Sequence, residues 1–357
     1  MARARLTIDL SAIAANWRAL AAMNAGETGA VIKADAYGLG AARVGPALRD
    51  AGAGTFFVAL AEEGATLRAA IGPGPRIFVF SGMMPGDAPL LREAGLIPLL
   101  NSAGQVAAAK ALAAASGAPF IAGLQLDSGM NRLGLEPAEF EALLADARGL
   151  DGLELALVIS HLACADEPDH PQNGAQLGAF AAMAGHPALA ATPKSIAATG
   201  GVLLGPDYHF DMTRPGIGLY GGLPFDDARP VVALEAQIIQ TREITPDETV
   251  GYGAAFTANA PRRIATIAAG YADGLSRHLS SGFTAWLGAA PLPAVGRVSM
   301  DLITLDATAC PAATEGEWVS LLGPGQGVDG LAHAAGTIGY EILTSLGARY
   351  ERRYTGA

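Results

Sequence analysis

The chain has 357 residues, of which 51% are hydrophobic and 16% charged, and its net charge is -11. That length exceeds one ordinary domain and that apolar content can fill a large core, which excludes a disordered chain. The acidic balance, with no cluster of Lys and Arg, speaks against nucleic acid or an anionic membrane surface as a partner. Cys164 and Cys310 lie far apart without CxxC or His-rich spacing and read as free thiols, neither a disulfide nor a metal site. Arg3 and Arg5 are followed by Asp9, Asn16 and Arg18 before a long apolar run can build, so a signal peptide is not expected. Gly and Pro break every stretch long enough to span a membrane. A cytoplasmic protein is the expectation.

A short β-like run, Leu6 to Leu10, precedes Ser11, which can cap a helix with Ile13, Trp17 and Leu20 at helical spacing. Six apolar runs then alternate with Ala-rich amphipathic segments: 30–33, 56–60, 77–80, 96–100, 121–127 and 155–161. That rhythm predicts repeated βα units around a buried parallel sheet. Two weaker runs, Ser195 to Thr199 and Gly216 to Tyr220, bring the strands to the eight of a (β/α)8 barrel. An open doubly wound sheet is disfavoured, because Gly38 and Gly40 lack the third glycine of a dinucleotide-binding turn. Past Pro230 the runs 231–240, 263–268 and 318–322, separated by Gly- and Pro-rich turns, predict a mostly β domain, with helix again over 331–346. The expected division is a barrel over 1–228 and a β-rich domain over 229–357.

Barrel active sites form at the C-terminal ends of the strands. Lys33 and His161 end two predicted strands, and Arg132, Thr199, Arg214 and Gly216 fall at or beside others. Together they describe a polar pocket. The segment Val31-Ile-Lys-Ala-Asp-Ala-Tyr-Gly-Leu-Gly40 resembles the pyridoxal-phosphate attachment segment of alanine racemases. The similarity continues at 126–134, 160–162, 214–217, 250–253, 270–274, 296–301 and 339–341, which covers nearly the whole chain.

The resemblance implies that the Lys33 amine carries pyridoxal phosphate and that Arg214 donates to its pyridine nitrogen. A guanidinium stays protonated, so it keeps that nitrogen unprotonated and moderates the ring as an electron sink. Racemisation needs a base on each face of the α-carbon: Lys33 serves one and Tyr252 the other, with His161 and Arg214 behind the tyrosine as a positive environment. Tyr37, Tyr340, Thr199 and the amides of Gly216 and Ile217 hold the phosphate. Arg132 meets the cofactor and the substrate carboxylate, Met300 offers an amide to that carboxylate, and Tyr271 and Asp301 narrow the access. Tyr252 comes from the second subunit of a homodimer, so active sites are shared.

Two positions depart from the family pattern. Gln125 stands where many members carry a carbamylated lysine that braces the arginine, so Arg132 is expected to be held by Gln125 or Asn131, with a bound anion nearby as a further candidate. Ala198-Thr199 stands where Asn-Ser is usual, which keeps a hydroxyl and loses an amide. The implied function is interconversion of L- and D-alanine for peptidoglycan or D-amino-acid metabolism. The alternatives are a racemase of serine or of a broader range, and a non-catalytic pyridoxal-phosphate carrier, which would lack the β domain. A basic amino-acid decarboxylase wants an acidic partner for the pyridine nitrogen, and Arg214 speaks against it.

Overall fold

The computed structural model describes residues 3–146, 148–323 and 325–356. Strand β1 (Ala4–Asp9) opens the chain and leads into the helix Leu10–Ala21. The cap of that helix is Asp9, not Ser11: Asp9 Oδ1 accepts from the Ala12 amide at 3.0 Å, and the Ser11 hydroxyl donates to the same oxygen at 2.6 Å. A carboxylate two residues earlier is the stronger acceptor, and the serine buttresses it.

Eight staves follow. The first is β2 (Glu27–Thr28) and β3 (Ala30–Val31), with Gly29 between them. Then come β4 (Thr55–Val58), β5 (Arg76–Val79), β6 (Ile97–Leu100), β7 (Phe120–Gln125), β8 (Leu153–Ile159) and β9 (Lys194–Ser195), each parallel to the one before. The last stave is β10 (Met212–Thr213), paired in parallel with β2. Backbone bonds from Asp211 to Lys194 (3.1 Å) and from Arg214 to Ala197 (2.8 Å) join it to the β9 side. Bonds from Gly29 to Thr213 (2.9 Å) and from Val31 to Pro215 (3.0 Å) join it to the first stave, so the sheet closes into the (β/α)8 barrel. Intervening helices bury one stripe each; Ala41–Ala51 buries Ala41, Val44, Gly45 and Leu48, the i, i+3, i+4, i+7 pattern.

The expected eighth strand over Gly216 to Tyr220 is a correction. Residues Ile217–Tyr220 form a 3-10 turn, and the strand lies just before it. Two ladder residues flanked by Asp211 and Arg214 leave no apolar run to read, whereas the buried turn does.

The C-terminal half consists of β11 (Val232–Ile244), β12 (Thr249–Val250), β13 (Phe256–Thr257), β14 (Arg262–Ile267), β15 (Thr284–Leu287), β16 (Ala290–Pro293), β17 (Ile303–Asp306), β18 (Trp318–Leu322) and β19 (Glu351–Thr355). The predicted helix over 331–346 is two helices, Val328–Ala335 and Gly339–Ser345, broken at Gly336. β1 lies between β11, antiparallel, and β19, parallel, so the first strand of the chain belongs to the C-terminal sheet. One hydrophobic cluster runs from Leu6 and Phe56 to Leu234 and Leu321, and it joins both halves.

Asn16 fastens the junction. Its amide donates to the Leu219 and Arg229 carbonyls at 3.2 and 2.9 Å, and its oxygen accepts from the Arg229 amide at 2.7 Å. Replacing this buried side chain by Leu strands three backbone groups and is expected to destabilise the fold by about 2–3 kcal/mol. Urea unfolding of Asn16→Leu, read as a lower midpoint at unchanged slope, checks this.

Candidate active site

A cavity of about 390 Å³ lies at the C-terminal ends of the staves, and nine of the expected site residues line it: Lys33, Tyr37, Arg132, His161, Thr199, Arg214, Gly216, Ile217 and Tyr340. Lys33 follows β3 by one residue and opens an unusual turn. Ala34, Asp35, Ala36 and Tyr37 all have φ between 53 and 57°, a left-handed helical turn built without glycine. L-residues resist this conformation at a cost of about 1–2 kcal/mol each. Local bonds hold it: Ala36 N to the Ile32 carbonyl at 2.9 Å, Gly38 N to the Ala34 carbonyl at 2.8 Å, and Ala34 N to Glu63 Oε1 at 2.9 Å.

Arg214 is 1% exposed. One guanidinium nitrogen donates to the Ser195 hydroxyl, another to the Ser160 carbonyl at 2.7 Å, and Nε, also buried, has no partner. No carboxylate pairs with it among the described residues. Burial pulls its pKa down to about 9, which leaves it charged at neutral pH.

Thr199 Oγ1 accepts from the amides of Gly216 (3.0 Å) and Gly218 (3.2 Å). The Gly216 amide thus has a partner within the chain, while the Thr199 hydroxyl keeps its own hydrogen to give. A Cβ at Gly216 would stand 2.3 Å from the Tyr37 hydroxyl, so only glycine fits beneath that phenol. Tyr37 stacks on Tyr220 with centroids 4.5 Å apart and meets Tyr340 at 5.9 Å. Burial raises the Tyr37 and Tyr340 phenols far above the ordinary tyrosine value, so both remain donors.

Burial, reinforced by the Arg132 charge and opposed by Glu63, lowers Lys33 below the ordinary lysine range. His161 is pushed down to about 3 by burial, then by Arg214, Arg132 and Lys33. It is therefore neutral at physiological pH and carries no positive charge of its own. The cavity thus concentrates cations within an acidic chain.

Four expected residues lie outside the cavity. Tyr252 sits in a glycine turn and is 70% exposed, Met300 is 53% exposed, and Tyr271 and Asp301 are also exposed. The loops bearing the last three are laced together: Tyr271 N donates to the Ser299 carbonyl at 3.0 Å and Ala272 N to the Met300 carbonyl at 2.9 Å. Arg349 grips buried Asp273 with two nitrogens and Asp301 with the third, each at 2.7 Å. Arg132 is exposed and bonds to neither Gln125 nor Asn131, so the expected brace is absent among the described residues; the Gln125 amide donates instead to the Leu133 carbonyl at 3.2 Å.

Phe80 was not foreseen. Its ring lies 5.7 Å from Lys33 Nζ, and its place at the end of the third apolar run was the available signal. Asp166, in the loop after β8, and Ile338 also line the cavity, and neither carried a sequence signal. Among the described residues no group of three His, Cys, Asp or Glu could hold a metal.

The neutral histidine has a thermodynamic consequence. The native state keeps His161 unprotonated down to about pH 3, while the unfolded chain protonates it near 6.5. Between those values unfolding takes up a proton, so stability falls as pH falls through that window. His161→Gln is expected to flatten that part of the profile, as read by urea unfolding at a series of pH values.

The chain matches the family described as alanine racemase, N-terminal domain, over residues 8–224, and that described as alanine racemase, C-terminal domain, over 231–354. It is 58% identical to an alanine racemase of Cereibacter sphaeroides, covering 99% of both chains. It is 48% identical to a catabolic alanine racemase of Agrobacterium fabrum, covering 99% of this chain and 92% of the relative. Among solved structures, alanine racemase from Bartonella henselae with covalently bound pyridoxal phosphate superposes with a TM-score of 0.95 at 40% identity, covering 99% of this chain and 100% of that one. The chain belongs to the alanine racemase family of isomerases.

Proposed function

We propose that this protein interconverts L- and D-alanine in a homodimer, using pyridoxal phosphate in the barrel cavity and one base from each subunit. The observation that carries the reading is Arg214, a buried guanidinium lining the cavity with an unpartnered Nε. An orphaned charged donor of this kind asks for an acceptor, and the pyridine nitrogen of the cofactor is one. When bound, pyridoxal phosphate supplies an electron sink that acidifies the substrate α-hydrogen, and an arginine in place of a carboxylate at its nitrogen moderates that sink.

The remaining roles belong to the chain. The Tyr37 and Tyr340 hydroxyls, the Thr199 hydroxyl and the Ile217 amide hold the phosphate, with Gly216 leaving room for Tyr37. Lys33 Nζ, lowered by burial and by Arg132, holds or releases a proton on one face of the α-carbon. Tyr252 Oη from a second copy of the chain does so on the other face. Supporting this, Tyr252, Met300, Tyr271 and Ile338 are large apolar or aromatic side chains left 43–70% exposed, and a second subunit would cover them. Arg132 binds the substrate carboxylate together with the Met300 amide, and Tyr271 and Asp301 narrow the access to suit a small amino acid. On this reading the protein works in the cytoplasm, and its D-alanine serves peptidoglycan synthesis or D-amino-acid breakdown.

The test follows α-deuteration of L-alanine in heavy water with added pyridoxal phosphate, while chiral chromatography follows D-alanine. Deuterated D-alanine is expected from the parent and neither product from Lys33→Ala. Tyr252→Phe should lower D-alanine formation by roughly a hundredfold or more, the scale of one lost acid-base catalyst. α-Deuteration by the parent without any D-alanine would contradict the two-base reading.

A further inference from the structure

The left-handed turn after Lys33 is expensive for its own residues, and local bonds alone do not explain its persistence, since a right-handed turn would also satisfy its amides. The opposite end of the chain closes on it. In β19 the side chains alternate: Glu351, Arg353 and Thr355 are exposed, while Arg352 and Tyr354 point inward. One Arg352 nitrogen donates to the Gly38 carbonyl at 2.6 Å, and the Tyr354 hydroxyl donates to the Leu39 carbonyl at 3.0 Å, contacts spanning 314 and 315 residues of sequence. The second Arg352 nitrogen holds the Leu346 carbonyl at 3.2 Å, beside the helix Gly339–Ser345 that carries Tyr340.

The steric fit is equally close. A Cβ at Gly38 would meet the Leu343 carbonyl at 2.5 Å, and one at Gly40 would meet the Tyr354 hydroxyl at 2.3 Å. β19 is itself fixed by pairing with β1, Leu6 opposite Arg352 and Ile8 opposite Tyr354. The clamp is thus seated on a rigid sheet.

We propose that Arg352 and Tyr354 are positioning residues: the C-terminal strand clamps the Gly38–Leu39 backbone and so keeps the preceding turn left-handed, which fixes the direction in which Lys33 enters the cavity. The role of Lys33 rests on the function proposed above, but the conformational claim stands on the turn alone. The two are tested separately.

The experiment compares the parent with Arg352→Met, Arg352→Lys, Tyr354→Phe and the double variant Arg352→Met/Tyr354→Phe. Amide hydrogen exchange over residues 34–40, measured on protein without cofactor, is the first readout. It is expected to rise about tenfold in the double variant, with β4 and β7 unchanged, as for local opening. On the loaded enzyme kcat for alanine should fall about tenfold with KM within about twofold, the mark of a misaimed catalytic group. Arg352→Lys, which keeps a donor, should recover part of both losses. Ala34→Gly added to the double variant should restore kcat toward the parent, because glycine adopts positive φ without penalty. Unchanged exchange over 34–40, a rise spread evenly over all strands, or no rescue by glycine would overturn the clamp. A parent inactive on alanine would refute the proposed function, and the exchange readout would still decide the clamp.

Discussion

A charged guanidinium sealed inside a barrel loses several kcal/mol of hydration, and neutral acceptors restore only part of it. Arg214 is in that position, with the Ser195 hydroxyl and the Ser160 carbonyl as partners and Nε left over. The arginine and its two partners come from three neighbouring staves: Ser160 follows β8, Ser195 ends β9, and Arg214 follows β10. Barrel closure through β10 is what brings them into reach. The short last stave therefore fixes a buried guanidinium that lines the cavity with a donor unspent.

The same charge organises its surroundings. Burial first, and then Arg214, Arg132 and Lys33, keep His161 neutral, and burial followed by Arg132 lowers Lys33. Glu63, which opposes the lowering of Lys33, receives the Ala34 and Ala59 amides at 2.9 and 2.7 Å, so both its oxygens are engaged. A chain of net charge -11 thus encloses a cationic pocket, which selects for an anionic ligand such as a phosphate ester or a carboxylate. Tyr37 and Tyr340, held protonated by burial, supply donors without adding charge.

Much of this was legible in the sequence where the physics is local and periodic. Six runs matched strands within a few residues because a parallel strand buried on both faces must be continuously apolar. Met212–Thr213 escaped because two residues carry no period, and the turn at Ile217–Tyr220 was apolar for burial rather than pairing. The left-handed turn was invisible: of Ala, Asp, Ala and Tyr only Asp visits positive φ with any ease, and the clamp that favours the turn lies more than 300 residues away. Nine site residues converged because strand ends and a family resemblance pointed to the same face. Among the described residues no bond joins Arg132 to Gln125 or Asn131, and the Gln125 amide nitrogen donates to the Leu133 carbonyl instead. Tyr252, Tyr271, Met300 and Asp301 lie apart from the cavity within one chain, whereas Ile338 and Tyr340 of the same half reach it.

The central claim is that Lys33 of one subunit works with Tyr252 of the other, and subunit mixing tests it most directly. Inactive Lys33→Ala and Tyr252→Phe proteins would be unfolded together, refolded and assayed for D-alanine formation. In a shared-site dimer the mixed species regains one intact site of two, so random pairing should return roughly a quarter of parental activity. If both residues serve the same chain, every site in the mixture keeps one defect, and the absence of recovered activity would contradict the account.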